Sequence, residues 1–383
     1  MKKDIMDESL QLYLKTMVHN GGSDLHLKSG AVARVRIDGE LKIIGEDSLS
    51  AKMIETLIRE ITTKEQFNKL REDKQLDFTY ILGEEYRFRV NVFYQMDGLS
   101  AVFRVIPVKI TTLEELNLPE VVHDFTKIQR GLVLVTGVTG SGKSTTLTAL
   151  LDKINSERSK HIITIEDPIE FIHKDKGCLI NQRSVGQDTH NFYDALKASL
   201  REDPDIILIG EMRDLETIDM ALHAANTGHL VFSTLHTLDA KETIDRIIGM
   251  FDSPEQNRIR GSLASVLEGV VSQRLVPAKK GGRIPAVEVL KKTARIEQLI
   301  LEDRDNEVPD ALADGKDIYN TQTFDQSLLD LLKKDLITED IALEYASNVA
   351  DMKLKMDGIG DGSIDNDSHV LDSSNVFAFK EDQ

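Results

Sequence analysis

The chain has 383 residues, of which 40% are hydrophobic and 29% are charged, and its formal net charge is −18. A chain of this length exceeds what one hydrophobic core usually supports, so two domains are expected. No stretch approaches the ~20 apolar residues that a membrane-spanning helix needs, and the acidic balance argues against global binding to nucleic acid or anionic lipid. Cys178 is the single cysteine, which excludes an internal disulfide framework and a CxxC-based zinc site.

The amino-terminal segment lacks the apolar core of a secretion signal, so the chain is expected to stay inside the cell. Residues 4–19 carry apolar side chains at helical spacing and predict a first helix. Five runs of strand character follow, and a helical stretch at about 50–72 separates the second run from the third. The runs are DLHLKSG, AVARVRIDGELKII, QLDFTYIL, YRFRVNVFYQ and LSAVFRVIP. These elements predict an α+β domain over residues 1–105.

Residues 106–120 carry proline near both ends and little periodicity, and we predict that they form a linker. From Gly131 the pattern changes to continuous apolar runs of strand length, separated by helical patterns. The runs are GLVLVTG, HIITIED, DIILIGE and HLVFSTLH. This alternation predicts an α/β core over 121–285, with a mostly parallel sheet that helices cover on both faces.

The remainder of the chain is predicted to be mainly helical. A short β pair is expected within QRLVPAKKGGRIPAVEVL, and a helical carboxy-terminal subdomain over 286–350. Residues 351–383 are predicted to form an acidic disordered tail, because acids, glycine, serine and asparagine dominate its composition.

A phosphate-binding motif stands in the predicted core. The segment GVTGSGKSTT, residues 137–146, matches G-x-x-x-x-G-K-[ST] between a buried strand and an amphipathic helix. Its glycines let backbone N–H groups face the β-phosphate, Lys143 reaches the β and γ oxygens, and the Ser144 hydroxyl binds Mg²⁺. We therefore predict ATP and Mg²⁺ as cofactors. The predicted nucleotide contacts are Gly137, Thr139, Gly140, Ser141, Gly142, Lys143, Ser144 and Thr145.

Carboxylates follow two of the predicted strands. Glu211 ends DIILIGE at the edge where α/β sheets bind ligands, so we predict that it holds Mg²⁺ together with Ser144. TIEDPIEF places Glu166, Asp167 and Glu170 beyond another strand, where a carboxylate can orient the attacking water. For Asp167, capping of the turn before proline is an alternative role.

Histidines and arginines supply further candidates. His229 and His236 flank one strand, and the pattern alone leaves a functional and a structural role equally open. Arg89 and Arg104 lie on strands of the first domain, where they are either exposed charges or arginine fingers delivered across a domain or subunit boundary.

Together these motifs resemble the type IV pilus retraction ATPases of the PilT/PilU family. The resemblance covers about residues 1–350 and rests on SDLHLKSG, GLVLVTGVTGSGKSTT, TIEDPIEF, REDPDIILIGEMRDLETI and TGHLVFSTLHT. It implies a PAS-like amino-terminal domain joined to a RecA-like ATPase core, assembled as a homohexameric ring at the cytoplasmic base of a pilus machine, peripheral to the inner membrane.

The resemblance also implies roles for individual residues and partners. Glu170 corresponds to the catalytic acid of the family, Glu211 to its Walker B residue, and His229 and His236 to its His box. Arg89 and Arg104 fall where the trans-acting arginines of the family fall. An inner-membrane platform protein is the expected partner, a second retraction ATPase is a further candidate, and no nucleic acid is expected.

Three alternatives stay open. The carboxy-terminal segment resembles the PilU branch, which allows an accessory ATPase that modulates a partner retraction motor. A pilus assembly or type II secretion motor shares the core, but such relatives usually carry a four-cysteine zinc motif that one cysteine cannot form. A nucleic-acid translocase is disfavoured by the acidic balance.

Overall fold

The computed structural model describes residues 2–37, 39–83, 86–106 and 110–360. The strands are β1 Asp24–Lys28, β2 Val32–Ile37, β3 Glu40–Ser48, β4 Gln75–Leu82, β5 Tyr86–Gln95, β6 Gly98–Ile106, β7 Gly131–Thr136, β8 His161–Glu166, β9 Leu179–Ser184, β10 Ile206–Ile209, β11 Leu230–Leu235, β12 Leu267–Pro277 and β13 Arg283–Lys291. The α-helices are α1 Lys2–His19, α2 Ala51–Ile61, α3 Lys64–Asp73, α4 Glu120–Asp124, α5 Lys143–Glu157, α6 Phe192–Ser199, α7 Leu215–Asn226, α8 Ala240–Gly249, α9 Ser253–Val266, α10 Ala294–Leu301, α11 Val308–Asp314, α12 Lys316–Tyr319, α13 Phe324–Lys333, α14 Glu339–Tyr345 and α15 Val349–Gly360.

The amino-terminal part is an antiparallel sheet of six strands in the order β3-β2-β1-β6-β5-β4. Leu14, Ile54 and Phe103 are among the buried side chains that join α1, α2 and the sheet in one core. The helical stretch predicted at 50–72 is two helices. Thr63 and Gln66 form a capping box that starts α3, so the chain reorients after α2.

The second sheet has the order β13-β12-β7-β11-β10-β8-β9, in which every neighbouring pair is parallel except β12 and β13. Along β7, Leu132 and Leu134 belong to the core on one face, and Val133 and Val135 to the core on the other. Burial of both faces explains the continuous apolar runs. The predicted α/β class is confirmed.

Several predicted boundaries differ from the structure. The boundary at residue 285 falls inside β13, which stays in the core sheet because it pairs with β12 along its whole length. Part of the predicted linker packs against the core, since Leu113 and Leu118 are buried there. Strand β9 was not predicted.

The disordered tail does not begin at residue 351. Helix α15 continues to Gly360 because Met352 is fully buried against the cluster of α13 and α14. The rest of the predicted tail, 361–383, lies outside the described residues. Within the described part of the chain, the helices are all too short or too polar to span a bilayer.

Candidate functional site

The glycine-rich loop connects the end of β7 to the start of α5, as predicted. Gly137, Gly140 and Gly142 have φ values of 141°, 79° and 92°, a region that side chains with a Cβ rarely adopt. A Cβ on Gly137 would lie 2.4 Å from the backbone oxygen of Gln273 on β12. The loop therefore needs glycine both for its dihedral angles and for its packing against the neighbouring strand.

Lys143, the first residue of α5, is buried against this loop and is 9% exposed. Its Nζ donates hydrogen bonds to the carbonyl oxygens of Gly137, at 2.8 Å, and Val138, at 3.1 Å. Burial lowers the pKa of the Lys143 ammonium, and the carboxylates of Glu211 and Glu170 oppose that effect. Two predicted acidic residues therefore lie close enough to Lys143 to act on its charge.

Most of the predicted site residues line one cleft with a volume of about 490 Å³. Ligand sites commonly have volumes of ~300–1,000 Å³, so the cleft has room for a nucleotide. The predicted residues that line it are Arg89, Thr139, Gly140, Lys143, Ser144, Glu170, Glu211 and His236. An adjoining pocket brings Arg104 and Thr145 beside Arg89 and Glu170.

Glu211 follows β10 by two residues and is held from two sides. Its Oε2 accepts a hydrogen bond of 2.8 Å from Arg213 Nε, and its Oε1 lies 3.3 Å from His236 Nε2. Arg213 Nη1 also lies 3.7 Å from Asp167 Oδ2, so the arginine links the loop after β8 to Glu211. The Glu211 side chain is 19% exposed, which leaves it accessible from the cleft.

Glu166, at the end of β8, has a more buried environment than Glu170, which faces the cleft. Glu166 Oε1 accepts hydrogen bonds from the Thr164 hydroxyl at 2.6 Å and from Gln182 Nε2 at 3.3 Å, and Oε2 lies 3.5 Å from the backbone N of Glu170. Burial raises the pKa of the Glu166 carboxyl, and the hydrogen bonds from Thr164 and Gln182 oppose the rise. Glu166 thus supports the loop, whereas Glu170 is exposed in the cleft.

The two histidines lie at opposite ends of β11. Because β11 runs parallel to β7, His236 follows the strand at the edge that holds the glycine-rich loop, and His229 precedes it at the far edge. Six strand residues span ~20 Å. His229 Nδ1 lies 2.9 Å from the Ala224 carbonyl oxygen, so this side chain orders the turn before β11. Within one chain His236 lines the cleft and His229 does not, so the predicted role of His229 stays a prediction.

Arg89 and Arg104 face each other directly across β5 and β6. Arg104 Nε donates a hydrogen bond of 2.7 Å to Asp24 Oδ1, and Arg89 Nε lies 3.9 Å from Asp77 Oδ1. Both arginine side chains are about half exposed or more, at 47% for Arg89 and 67% for Arg104. Arg89 lines the cleft of its own chain, and its action on a neighbouring subunit remains a prediction.

Gln273, a further residue near the loop, was missed by the sequence analysis. Its amide contacts the glycine-rich loop and α5 from β12, over 100 residues away along the chain. No short-range pattern signals such a contact, because it depends on β12 lying beside β7 in the sheet.

Comparison with known proteins identifies the family of this chain. The family model described as Type II/IV secretion system protein matches residues 2–318 of the chain. The chain belongs to this family. The predicted membership in the pilus and secretion ATPases is confirmed, and so is the predicted enzyme class of the family.

Similar proteins from Pseudomonas aeruginosa include two pilus ATPases. The type IV pilus retraction ATPase PilT is 48% identical over 326 residues, which cover 85% of this chain and 94% of that protein. The type IV pilus ATPase PilU is 37% identical over 342 residues, which cover 89% of each chain.

A solved member of the family has the same fold. The crystal structure of the pilus retraction motor PilT with bound ADP aligns with a TM-score of 0.84 and 42% identity, and it covers 89% of this chain and 98% of that one. The bound ADP of that relative supports a nucleotide as the ligand of this family's site.

Proposed function

We propose that this chain hydrolyses ATP in the cleft above the glycine-rich loop and that hydrolysis drives retraction of a type IV pilus, the basis of twitching motility. The observation that carries the proposal is the convergence of Lys143, Glu170, Glu211 and His236 on one cleft, in a chain that matches PilT over 85% of its length. The cleft supports ATP hydrolysis, and the similarity to PilT supports a pilus as the structure on which the motor acts.

Each side chain has a distinct role in the proposed reaction. The loop N–H groups and the Lys143 ammonium hold the phosphates. Glu170 orients the attacking water on the side of the γ-phosphate that lies opposite the leaving group. Ser144 and Glu211 share the cleft and offer the oxygen ligands that Mg²⁺ prefers. When bound, Mg²⁺ would neutralise charge on the β- and γ-phosphates. His236 and Arg213 fix the position of Glu211 from either side.

We further propose that the chain works as a homohexameric ring. Arg89 and Arg104 lie directly opposite each other on β5 and β6, and although Asp77 and Asp24 lie beside them, both arginine side chains stay about half exposed or more. Their exposed guanidinium groups could contact a triphosphate bound by a neighbouring subunit and stabilise the charge of its transition state. A head-to-tail interface that closes on itself forms such a ring.

The proposed place of the ring is the cytoplasmic base of the pilus machine, peripheral to the inner membrane. Its partner there is an inner-membrane platform protein, which transmits the motion of the ring to the pilus. A second retraction ATPase is a further partner if this chain acts as an accessory ATPase. Nucleic acid is not among the proposed partners, because the chain carries a formal charge of −18.

A second candidate function is that of an accessory ATPase that modulates a partner motor. The match to PilU extends over 342 residues, more of the chain than the match to PilT. An ATPase assay on the purified wild-type chain and its Glu170→Gln variant separates the two functions. Wild-type turnover well above that of the variant supports the motor. Turnover by neither protein above the buffer background supports an accessory chain that binds nucleotide without hydrolysing it.

Deletion of the gene tests the function in the cell. A retraction motor's loss leaves more surface pili, or pili that stay extended. Loss of an assembly motor leaves none, and that result would overturn the proposal. Surface pili are counted by electron microscopy in the deletion strain and in the strain complemented with the wild-type gene.

A further inference from the structure

Gln273 lies directly beside the glycine-rich loop in the core sheet. Strand β12 pairs in parallel with β7 so that Ser272 lies opposite Thr136, and the next residue on each strand is Gln273 and Gly137. The Gln273 residue is 3% exposed. Its side chain is therefore enclosed between the sheet, the loop and the first turn of α5.

Both ends of the Gln273 amide are hydrogen-bonded. Nε2 donates to the carbonyl oxygen of Ser141 at 2.7 Å, and Oε1 accepts from the Thr146 hydroxyl at 2.8 Å. Ser141 and Thr146 are also buried, at 2% and 1% exposed. Buried hydrogen bonds of this kind hold a defined geometry, because losing one partner leaves the other unsatisfied away from water.

The loop and Gln273 also fit each other sterically. A Cβ on Gly142 would lie 2.8 Å from Gln273 Nε2, and a Cβ on Gly137 would lie 2.4 Å from the Gln273 carbonyl oxygen. Packing against the Gln273 backbone thus requires glycine at position 137, and the Gln273 amide lies close to Gly142. The conformation of the glycine-rich loop therefore depends on Gln273.

We propose that Gln273 is a positioning residue for phosphate binding, an inference that rests on the proposed binding of ATP in this loop. A trans peptide group is planar, with its C=O and N–H pointing in opposite directions. Anchoring the Ser141 carbonyl to Gln273 on the inner side of the loop turns the N–H of Gly142 to the outer side. This N–H stands at the start of α5, where the phosphates are bound.

The test compares two buried glutamines. Gln273→Met keeps the length of the side chain and removes both hydrogen bonds without adding charge. Gln322→Met is the matched control, because Gln322 is 6% exposed and its Nε2 donates at 2.9 Å to the Val287 carbonyl oxygen, on β13, outside the cleft. The dissociation constant of a fluorescent ATP analogue and the melting temperature are measured for both variants and for wild type.

We expect both substitutions to lower the melting temperature, and only Gln273→Met to weaken nucleotide binding, by about tenfold. A folded Gln273→Met variant whose dissociation constant stays within twofold of wild type overturns the inference. If the wild-type chain does not bind the analogue, the proposed function fails and this inference fails with it. If the wild-type chain and Gln273→Met bind it equally well, only this inference fails.

A second variant keeps the test decisive if Gln273→Met does not fold. Thr146→Val removes the hydroxyl that donates to Gln273 Oε1 but keeps the bond between Gln273 and Ser141. Because the amide is then held from one end only, we expect a smaller weakening of binding, about threefold. Unchanged binding by a folded Thr146→Val variant also counts against the inference.

Discussion

His236 Nε2 lies 3.3 Å from Glu211 Oε1, which joins the residue after β11 to the carboxylate after β10 across adjacent strands. Arg213 holds the other oxygen of the same carboxylate. Glu211 is therefore fixed on both sides at the carboxyl edge of the parallel sheet, where α/β proteins bind ligands.

His236→Ala is expected to lower the kcat for ATP hydrolysis by about tenfold or more, because Glu211 loses one of the two contacts that orient it. The KM for ATP should change little, since His236 does not hold the glycine-rich loop. His223→Ala, at an exposed position on α7, is the control and should keep the wild-type rate. Equal kcat for the His236 and His223 variants in a steady-state assay would contradict the role given to His236.

Glu170→Gln tests the residue assigned to the attacking water. We expect kcat to fall by about 10²–10⁴-fold, the usual contribution of a general base, while the dissociation constant for ATP is kept or becomes tighter. Tighter binding would follow from the loss of one negative charge near the phosphates. Glu60→Gln, on the exposed face of α2, is the matched control. A Glu170→Gln variant that turns over ATP like the control would exclude Glu170 from the reaction.

Glu288 predicts a pH dependence of stability. It is 7% exposed on β13, and its Oε1 accepts a hydrogen bond of 2.8 Å from the backbone N of Ala240. Burial raises the pKa of this carboxyl to about 7 from an ordinary value of 4.5, the hydrogen bond from Ala240 and the charge of Arg274 oppose the rise, and Asp239 and Asp325 add to it. The folded state therefore binds this proton more tightly than the unfolded state does.

The stabilising contribution of that proton is full below about pH 4.5 and is lost as the pH rises through about 7. We expect Glu288→Gln to melt close to wild type at pH 5 and at a higher temperature at pH 8, with a gain in unfolding free energy of at most about 3 kcal/mol. Thermal melts at both pH values measure the difference. Parallel curves for the two proteins would show that Glu288 does not titrate in this way.

Mixing of variants tests whether the arginines act between subunits. Lys143→Ala and Arg89→Ala chains are each expected to be inactive, and mixed rings should regain ATPase activity if one chain supplies the loop and its neighbour the arginine. If Arg89 acts within its own chain, whose cleft it lines, every site lacks one of the two groups and mixing restores nothing. Lys143→Ala mixed with Glu170→Gln is the control without rescue, because both residues belong to the core of the chain that binds the nucleotide.

Local signals predicted the elements that carry the phosphate site. The apolar run of β7, the glycine motif and the periodicity of α5 stand next to one another in the chain, and the structure places them as expected. Strand β9 escaped prediction because its sequence, LINQRS, is largely polar and mostly only partly buried, and it forms a strand through its pairing with β8. Gln273 escaped for the same reason, since its contacts cross the sheet.

His229 shows a limit of reasoning from motif resemblance. A strand between two histidines must separate them by its own length, so both cannot reach one phosphate within a single chain. The capping-box pattern of Thr63 followed three residues later by Gln66 likewise signalled that α3 starts anew after α2.

Replacement of the native gene by the Glu170→Gln allele tests most directly that hydrolysis in this cleft powers retraction. The lengths of fluorescently labelled pili are followed in living cells, with the Glu60→Gln allele as control. We predict that pili extend in both strains and shorten only in the control. Retraction at the control rate by cells that carry only the Glu170→Gln protein would contradict the central claim.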